Sequence, residues 1–198
     1  MPNGNQLSRN SLRSPNTTDL AIEWAFNDTL NLHPKMNFMK PRIYVESSVI
    51  SYAASRKSAN AKTAYRQEVT RLWWDKAIAR FELESSAIVQ FEIAAGDASA
   101  AQKRMTLFAT LVCLPLHEEL ASLSERLMFE GLVPRSEPED ASHIAQATLT
   151  LADYIATWNF AHMVGPQAKY RLVQGIELWG YKAPLLATPE EILEGLML

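Results

Sequence analysis

Three carboxylates and one amide occupy positions where a parallel sheet would bring their side chains together. Glu46 directly follows one short apolar segment, and Asn159 follows another. Glu92 lies in an otherwise apolar helical segment, and Asp140 begins a further helical pattern. Because ligands bind outside the carboxyl ends of the strands in open parallel sheets, these side chains are candidates for one site. Oxygen ligands of this kind suit Mg²⁺ or Mn²⁺.

Each of the four residues also has an ordinary structural explanation. Asp140 fits an acid that interacts with a helix dipole, Asn159 fits a turn residue, and Glu92 fits a surface charge. Glu46 is harder to explain in this way, because a carboxylate next to a buried strand is costly unless it is paired or metal-bound. Residue type and spacing alone therefore leave both a metal site and separate structural roles open.

The elements that must position these residues alternate between short apolar strands and helices. Strands are predicted over residues 42–45, 81–83, 112–116, 154–158 and 185–187. Helices are predicted over residues 63–81, from 85 or 86 to 96, 97–111, 118–130, 139–151 and 166–179, with a last helix beginning at 188. Short, nearly all-apolar strands separated by helices are typical of a parallel sheet covered on both faces, so we expect an α/β fold.

The composition indicates one folded domain preceded by a segment of different character. The chain has 198 residues, of which 47% are hydrophobic and 21% charged, and this excludes wholesale disorder. Seven of the nine asparagines precede Met39, so we expect a poorly structured leader over residues 1–38 and a folded domain over residues 39–198. The net charge of −3 excludes a global basic field that would hold nucleic acid.

The single cysteine and the absence of long apolar segments indicate where in the cell the protein is expected to function. Cys113 excludes an intramolecular disulfide and a thiolate zinc cluster, and its apolar neighbours predict a buried, inert thiol. Nothing approaches 18 consecutive apolar residues, and no basic start is followed by an apolar block. We therefore expect neither a membrane span nor a secretory signal, and a cytoplasmic protein.

Four segments of the chain, taken in order, resemble the motifs of PIN domains, and most closely those of VapC-like ribonuclease toxins of bacterial toxin–antitoxin systems. The segments are 43–52, 92–97, 140–145 and 153–162, and segment 188–193 has a counterpart near the end of such proteins. The resemblance spans residues 39–198. It implies a three-layer α/β/α fold with a short-stranded, mostly parallel sheet.

The same resemblance implies a metal-dependent ribonuclease that hydrolyses phosphodiester bonds in RNA with Mg²⁺ or Mn²⁺. It puts the catalytic and metal-binding positions on Glu46, Glu92, Asp140 and Asn159. The family commonly has Asp at the first position and often at the last, so a second cation would be held more weakly here. An antitoxin protein is the implied partner, and the chain is implied to form a homodimer. The alternative is a catalytically degenerate PIN module that binds RNA or a protein without cleavage.

Five further residues are expected to support the site. Ser47 and Ser48 match the hydroxyl residues after the family's first acid and can orient that acid or a water molecule, with helix capping as the alternative. Thr157 belongs to the last motif. His143 and His162 adjoin motif residues and can hydrogen-bond a ligand or the scissile phosphate, with helix packing or solvent exposure as the alternative.

A local excess of positive charge lies between residues 56 and 80, where seven basic residues face only two acids. The candidates for contact with the RNA backbone are Arg56, Lys57, Lys62 and Arg66. The alternative for each is a solvated side chain that covers the rim of an apolar stripe.

Overall fold

The computed structural model describes residues 39–159 and 166–196, and all of these except Met39 belong to the unit Lys40–Leu198. Five short strands form one sheet in the order β3-β2-β1-β4-β5, and every pairing between neighbours is parallel. The strands are β1 (Arg42–Val45), β2 (Glu82–Ser86), β3 (Val112–Leu114), β4 (Tyr154–Ala156) and β5 (Leu185–Ala187). This arrangement confirms the predicted α/β fold.

Eight helices are found in the described part of the chain. They are α1 (Ser47–Ala54), α2 (Ala61–Arg80), α3 (Ala87–Ala94), α4 (Ala98–Phe108), α5 (Leu120–Phe129), α6 (Pro138–Leu149), α7 (Pro166–Leu178) and α8 (Pro189–Gly195). Helix α1 packs against α2, α3 and α4, α2 packs against α8, and α5 packs against α6. None of the described helices is both long and apolar enough to cross a membrane.

The central strand β1 shows that helices cover both faces of the sheet. Successive side chains of a strand point to opposite faces, yet Ile43, Tyr44 and Val45 are all fully buried. The residue after this strand, Glu46, becomes the N-cap of α1, so a polar side chain lies where the apolar strand ends. The fold therefore places Glu46 at the carboxyl edge of the most buried strand.

One prediction about an individual residue is wrong, and another holds only in part. Cys113 was expected to be buried, but it is exposed because β3 is an edge strand with a neighbour on one side only. The predicted helix was expected to be capped by Ser85 or Ser86; Ser86 is its N-cap residue but makes no side-chain capping hydrogen bond, and both serines form the buried end of β2. The Ser85 hydroxyl donates to the Val45 carbonyl of β1 at 2.9 Å, so it ties two strands together instead.

Candidate functional site

Glu46 continues the central strand β1 at its carboxyl end, beside β4. Its backbone N–H donates to the carbonyl of Ala156 in β4 at 3.1 Å, which extends the sheet by one hydrogen bond. Its side chain is only 6% exposed. A buried carboxylate requires compensating donors.

Four donors supply that compensation to Glu46, two to each carboxylate oxygen. Oε1 accepts from the Ser47 hydroxyl at 2.7 Å and from the Ser48 backbone N–H at 3.1 Å. Oε2 accepts from the Thr157 hydroxyl at 2.8 Å and from the Ser48 hydroxyl. Ser47, Ser48 and Thr157 therefore all hold this carboxylate in place.

A histidine on α6 joins this carboxylate to the second acid of the predicted site. His143 Nε2 lies 3.1 Å from Glu92 Oε1 on α3. Glu46, Glu92 and His143 each offer a ligand atom, and these atoms all lie within 4.8 Å of one another. The fold thus brings β1, α3 and α6 to a single point, and the imidazole is a central member of the cluster.

The charges of this cluster reinforce one another. Burial alone would raise the pKa of Glu92, but the hydrogen bond and charge of His143 lower it, with a smaller contribution from Ser47. Burial alone would lower the pKa of His143. The hydrogen bond to Glu92 and the negative charges of Glu46 and Asp140 outweigh burial and raise that pKa. The arrangement therefore favours an anionic Glu92 beside a cationic group.

Behind His143, two buried hydroxyl groups continue the hydrogen-bond chain into the core. The Tyr44 hydroxyl lies 3.1 Å from His143 Nδ1 and 2.7 Å from the Ser86 hydroxyl. Burial raises the pKa of Tyr44, so its hydroxyl stays protonated. Sequence reasoning missed Tyr44 and Ser86, although a tyrosine in a fully buried strand signals that its hydroxyl needs a partner.

The remaining two predicted site residues pair with each other. Asn159 Nδ2 donates to Asp140 Oδ1 at 3.1 Å, and the Asn159 side chain is exposed. The Asn159 backbone N–H donates to the Thr157 hydroxyl at 2.8 Å, which connects this pair to the Glu46 network. The Asp140–Asn159 pair is thus the solvent-exposed part of the arrangement. His162 lies outside the described residues.

A cleft of about 880 Å³ opens beside the cluster. Its lining comprises Glu46, Ser47, Ser48, Tyr52, Lys62, Tyr65, Arg66, Trp158, Asn159, Thr188 and Glu190. The Arg66 guanidinium lies 5.0 Å from the centre of the Trp158 ring, a distance at which cation–π attraction holds the side chain in place. Two cationic side chains, Lys62 and Arg66, therefore share one cleft with Glu46 and Asn159.

The other two predicted RNA-contact residues lie elsewhere. Arg56 lines a separate cavity together with Lys103 and Arg104. Lys57 is exposed and lines neither of these cavities. The four predicted RNA-contact residues therefore lie on different surfaces, and the two that line the cleft with Glu46 are Lys62 and Arg66, in the first turns of α2.

The donor set of the cluster fits a divalent cation. Glu92 Oε2 is buried and has no hydrogen-bond partner among residues 39–159 and 166–196. Two carboxylates and an imidazole are common ligands of divalent metals. The 3.1 Å between Glu92 Oε1 and His143 Nε2 matches two neighbouring ligands, which lie about 3 Å apart when each is about 2.1 Å from one ion.

Comparisons with known proteins found similarity among solved structures. No family model matches the chain, and no curated protein matches it. Among solved structures, the chain is similar to the VapBC2 complex from Rickettsia felis bound to a DNA fragment from its promoter. The likeness has a TM-score of 0.47 and 13% sequence identity, and it covers 74% of this chain and 98% of that chain. A likeness of this size carries no functional assignment.

Proposed function

We propose that this protein is a divalent-metal-dependent endoribonuclease that hydrolyses phosphodiester bonds in RNA. The observation that carries the proposal is the convergence of Glu46, Glu92 and His143 at the carboxyl edge of the sheet, beside a cleft with two cationic side chains. This location is the one at which parallel α/β sheets bind their ligands. The resemblance of the sequence motifs to PIN domains supports the same activity.

In the proposed reaction, residues of the site would hold the cation, guide the attacking water and bind the phosphate backbone. Glu46 and Glu92 would hold the cation, with Asp140 and Asn159 at the rim completing its surroundings or guiding the attacking water. When bound, Mg²⁺ or Mn²⁺ lowers the pKa of water and neutralises charge on the phosphate. Lys62 would bind the phosphate backbone as a point charge along the cleft.

The biological setting is part of the same proposal and rests on the motif resemblance. In that setting the protein is the VapC-like toxin of a toxin–antitoxin pair, active in the cytoplasm. A cognate antitoxin protein would be its partner, and two copies of the chain would form a homodimer. Residues 1–38 would act as a leader outside the nuclease domain.

Asp140→Asn tests the catalytic part of the proposal directly. Asn retains the shape of the side chain but removes its charge, so RNA cleavage with Mg²⁺ or Mn²⁺ should fall by about 10²-fold or more. Glu139→Gln is the matched control, because Glu139 is an exposed neighbouring acid in the same first helical turn. Cleavage by the wild type should also stop in chelator and return with excess Mn²⁺. Cleavage that persists through both treatments would exclude the proposed mechanism.

A non-catalytic module that binds RNA or a protein partner is the second candidate. It is favoured by the four donors on Glu46, which occupy about as many acceptor positions as a carboxylate offers. On this alternative Glu46 serves only as a helix cap, and the neutral Asn159 only as a turn residue. Calorimetry that detects RNA binding without any binding of Mn²⁺ would favour this candidate over the nuclease.

A further inference from the structure

We propose that His143 is a direct metal ligand, positioned by Tyr44 and Ser86, and that this nitrogen ligand gives the site a preference for Mn²⁺ over Mg²⁺. The inference rests on the proposed function only in requiring a divalent cation at the cluster. It adds an imidazole to a ligand set that the sequence motifs describe as four oxygen donors. It also assigns a role to two buried hydroxyl groups that the hydrolytic reaction does not use.

The two ring nitrogens of His143 would have different roles, one binding the metal and the other carrying the hydrogen. A cation can bind Nε2 of His143 only when that nitrogen carries no hydrogen, so the hydrogen of the neutral ring must lie on Nδ1. Nδ1 faces the Tyr44 hydroxyl at 3.1 Å. Ligating histidines almost always donate their other ring N–H in this way to a partner that holds the ring.

Tyr44 is placed to accept the hydrogen bond from Nδ1. Its hydroxyl oxygen can accept from Nδ1 while its O–H donates to the Ser86 hydroxyl, which lies 2.7 Å away. Tyr44 and Ser86 are both fully buried, so their hydroxyl groups depend on each other and on His143 for partners. The chain His143–Tyr44–Ser86 is therefore satisfied with the hydrogen on Nδ1, and a cation bound at Nε2 would replace the proton that Nε2 otherwise shares with Glu92 Oε1.

The types of ligand atom in the cluster determine which divalent metal it prefers. Mg²⁺ prefers oxygen ligands in near-ideal octahedral geometry and keeps several waters. Imidazole nitrogen suits transition metals, and Mn²⁺ accepts both carboxylate and imidazole donors. With the carboxylates of Glu46 and Glu92 and the imidazole of His143, this cluster is a mixed nitrogen–oxygen site.

Pulsed electron paramagnetic resonance of Mn²⁺ bound to the full chain tests the ligand directly. The wild-type protein should show modulation from a coordinated imidazole nitrogen, and His143→Gln should abolish it. His117→Gln is the matched control, because His117 is a half-buried histidine outside the cluster and its Nδ1 accepts from the Glu119 backbone N–H. Bound Mn²⁺ without nitrogen modulation in the wild type would overturn the inference.

Titration calorimetry with Mn²⁺ and with Mg²⁺ tests the positioning role. Tyr44→Phe keeps the ring but removes the acceptor for Nδ1, so Mn²⁺ affinity should fall about 10- to 100-fold, with a smaller change for Mg²⁺. Tyr181→Phe, a partly buried tyrosine elsewhere on the core, should bind both metals as the wild type does. Folded Tyr44→Phe with wild-type Mn²⁺ affinity would refute the role of Tyr44.

The two proposals fail in distinguishable ways. A nitrogen-coupled Mn²⁺ site without RNA cleavage would leave this inference standing and remove the nuclease. RNA cleavage supported by a metal without nitrogen coupling would do the reverse.

Discussion

Replacing the two cations of the cleft should change how RNA binding depends on salt. Lys62 and Arg66 lie in the same cleft as Glu46 and Asn159, so the proposed function requires the RNA backbone to pass them. The double variant Lys62→Gln, Arg66→Gln removes both charges and retains long side chains. A background of Asp140→Asn with Mn²⁺ present keeps the RNA intact during the measurement.

The magnitude follows from counterion release. Each phosphate contact on a single strand contributes about −0.7 to the slope of log affinity against log salt. Two lost contacts should therefore make the slope shallower by about 1.4. Over a fourfold rise in salt, from about 50 to 200 mM, the parent protein should lose about sevenfold more affinity than the double variant.

Fluorescence anisotropy of a labelled single-stranded RNA across that salt range measures both slopes. Lys76→Gln is the matched control, since Lys76 is an exposed cation near the opposite end of α2 and lies outside the cleft. Arg56→Gln should resemble this control, because Arg56 lines a different cavity. A double variant with the parent's slope would show that RNA does not follow this cleft.

Two further predictions concern stability. Thr70→Val removes the acceptor of the Trp158 indole N–H, a buried hydrogen bond of 2.8 Å, so the free energy of unfolding in urea should fall by about 1–3 kcal/mol. The same change at the exposed Thr106 should cost less than about 0.5 kcal/mol, and equal losses at both positions would contradict the reasoning. Asp153 has its pKa held below its usual 3.8, against the opposing effect of burial, by hydrogen bonds from Lys182 and the Arg42 backbone. Because a lowered folded pKa stabilises above the unfolded pKa, Asp153→Asn should be less stable than wild type at pH 7. That difference in melting temperature should shrink as the pH falls below about 4 through the folded pKa, and a constant difference would argue against it.

The positions of β1, β3, β4 and β5 could be predicted from sequence because these strands are apolar, whereas β2 is largely polar and extends to Ser86, beyond its predicted end at residue 83. The strands predicted over residues 42–45 and 185–187 have those bounds in the structure. The predicted strand over 154–158 ends at Ala156 instead, since Thr157 turns its hydroxyl to Glu46 and Trp158 packs beside α1. The apolar character of a segment does not show at which residue the strand ends.

The contacts around His143 could not be predicted from sequence, because they depend on how helices cross the sheet. Glu92 and His143 are separated by 51 residues, and Tyr44 and His143 by 99 residues. Spacing along α6 indicates only that His143 shares a helix face with Asp140. Which neighbour each side chain meets is decided by the packing of α3 and α6 above β1, and the chain pairs His143 with Glu92 and Asp140 with Asn159.

The positions of the charged residues explain how a protein with a net charge of −3 could act on RNA. Glu46, Glu92 and Asp140 concentrate negative charge around His143, where the proposed reaction takes place, whereas Lys62 and Arg66 line the cleft to which Glu46 also contributes. A polyanion entering the cleft is attracted by the two cations but repelled by the carboxylates until a divalent cation reverses the local charge. On the proposed function, metal binding therefore precedes productive RNA binding, and a mildly acidic protein can act on RNA without a global basic surface.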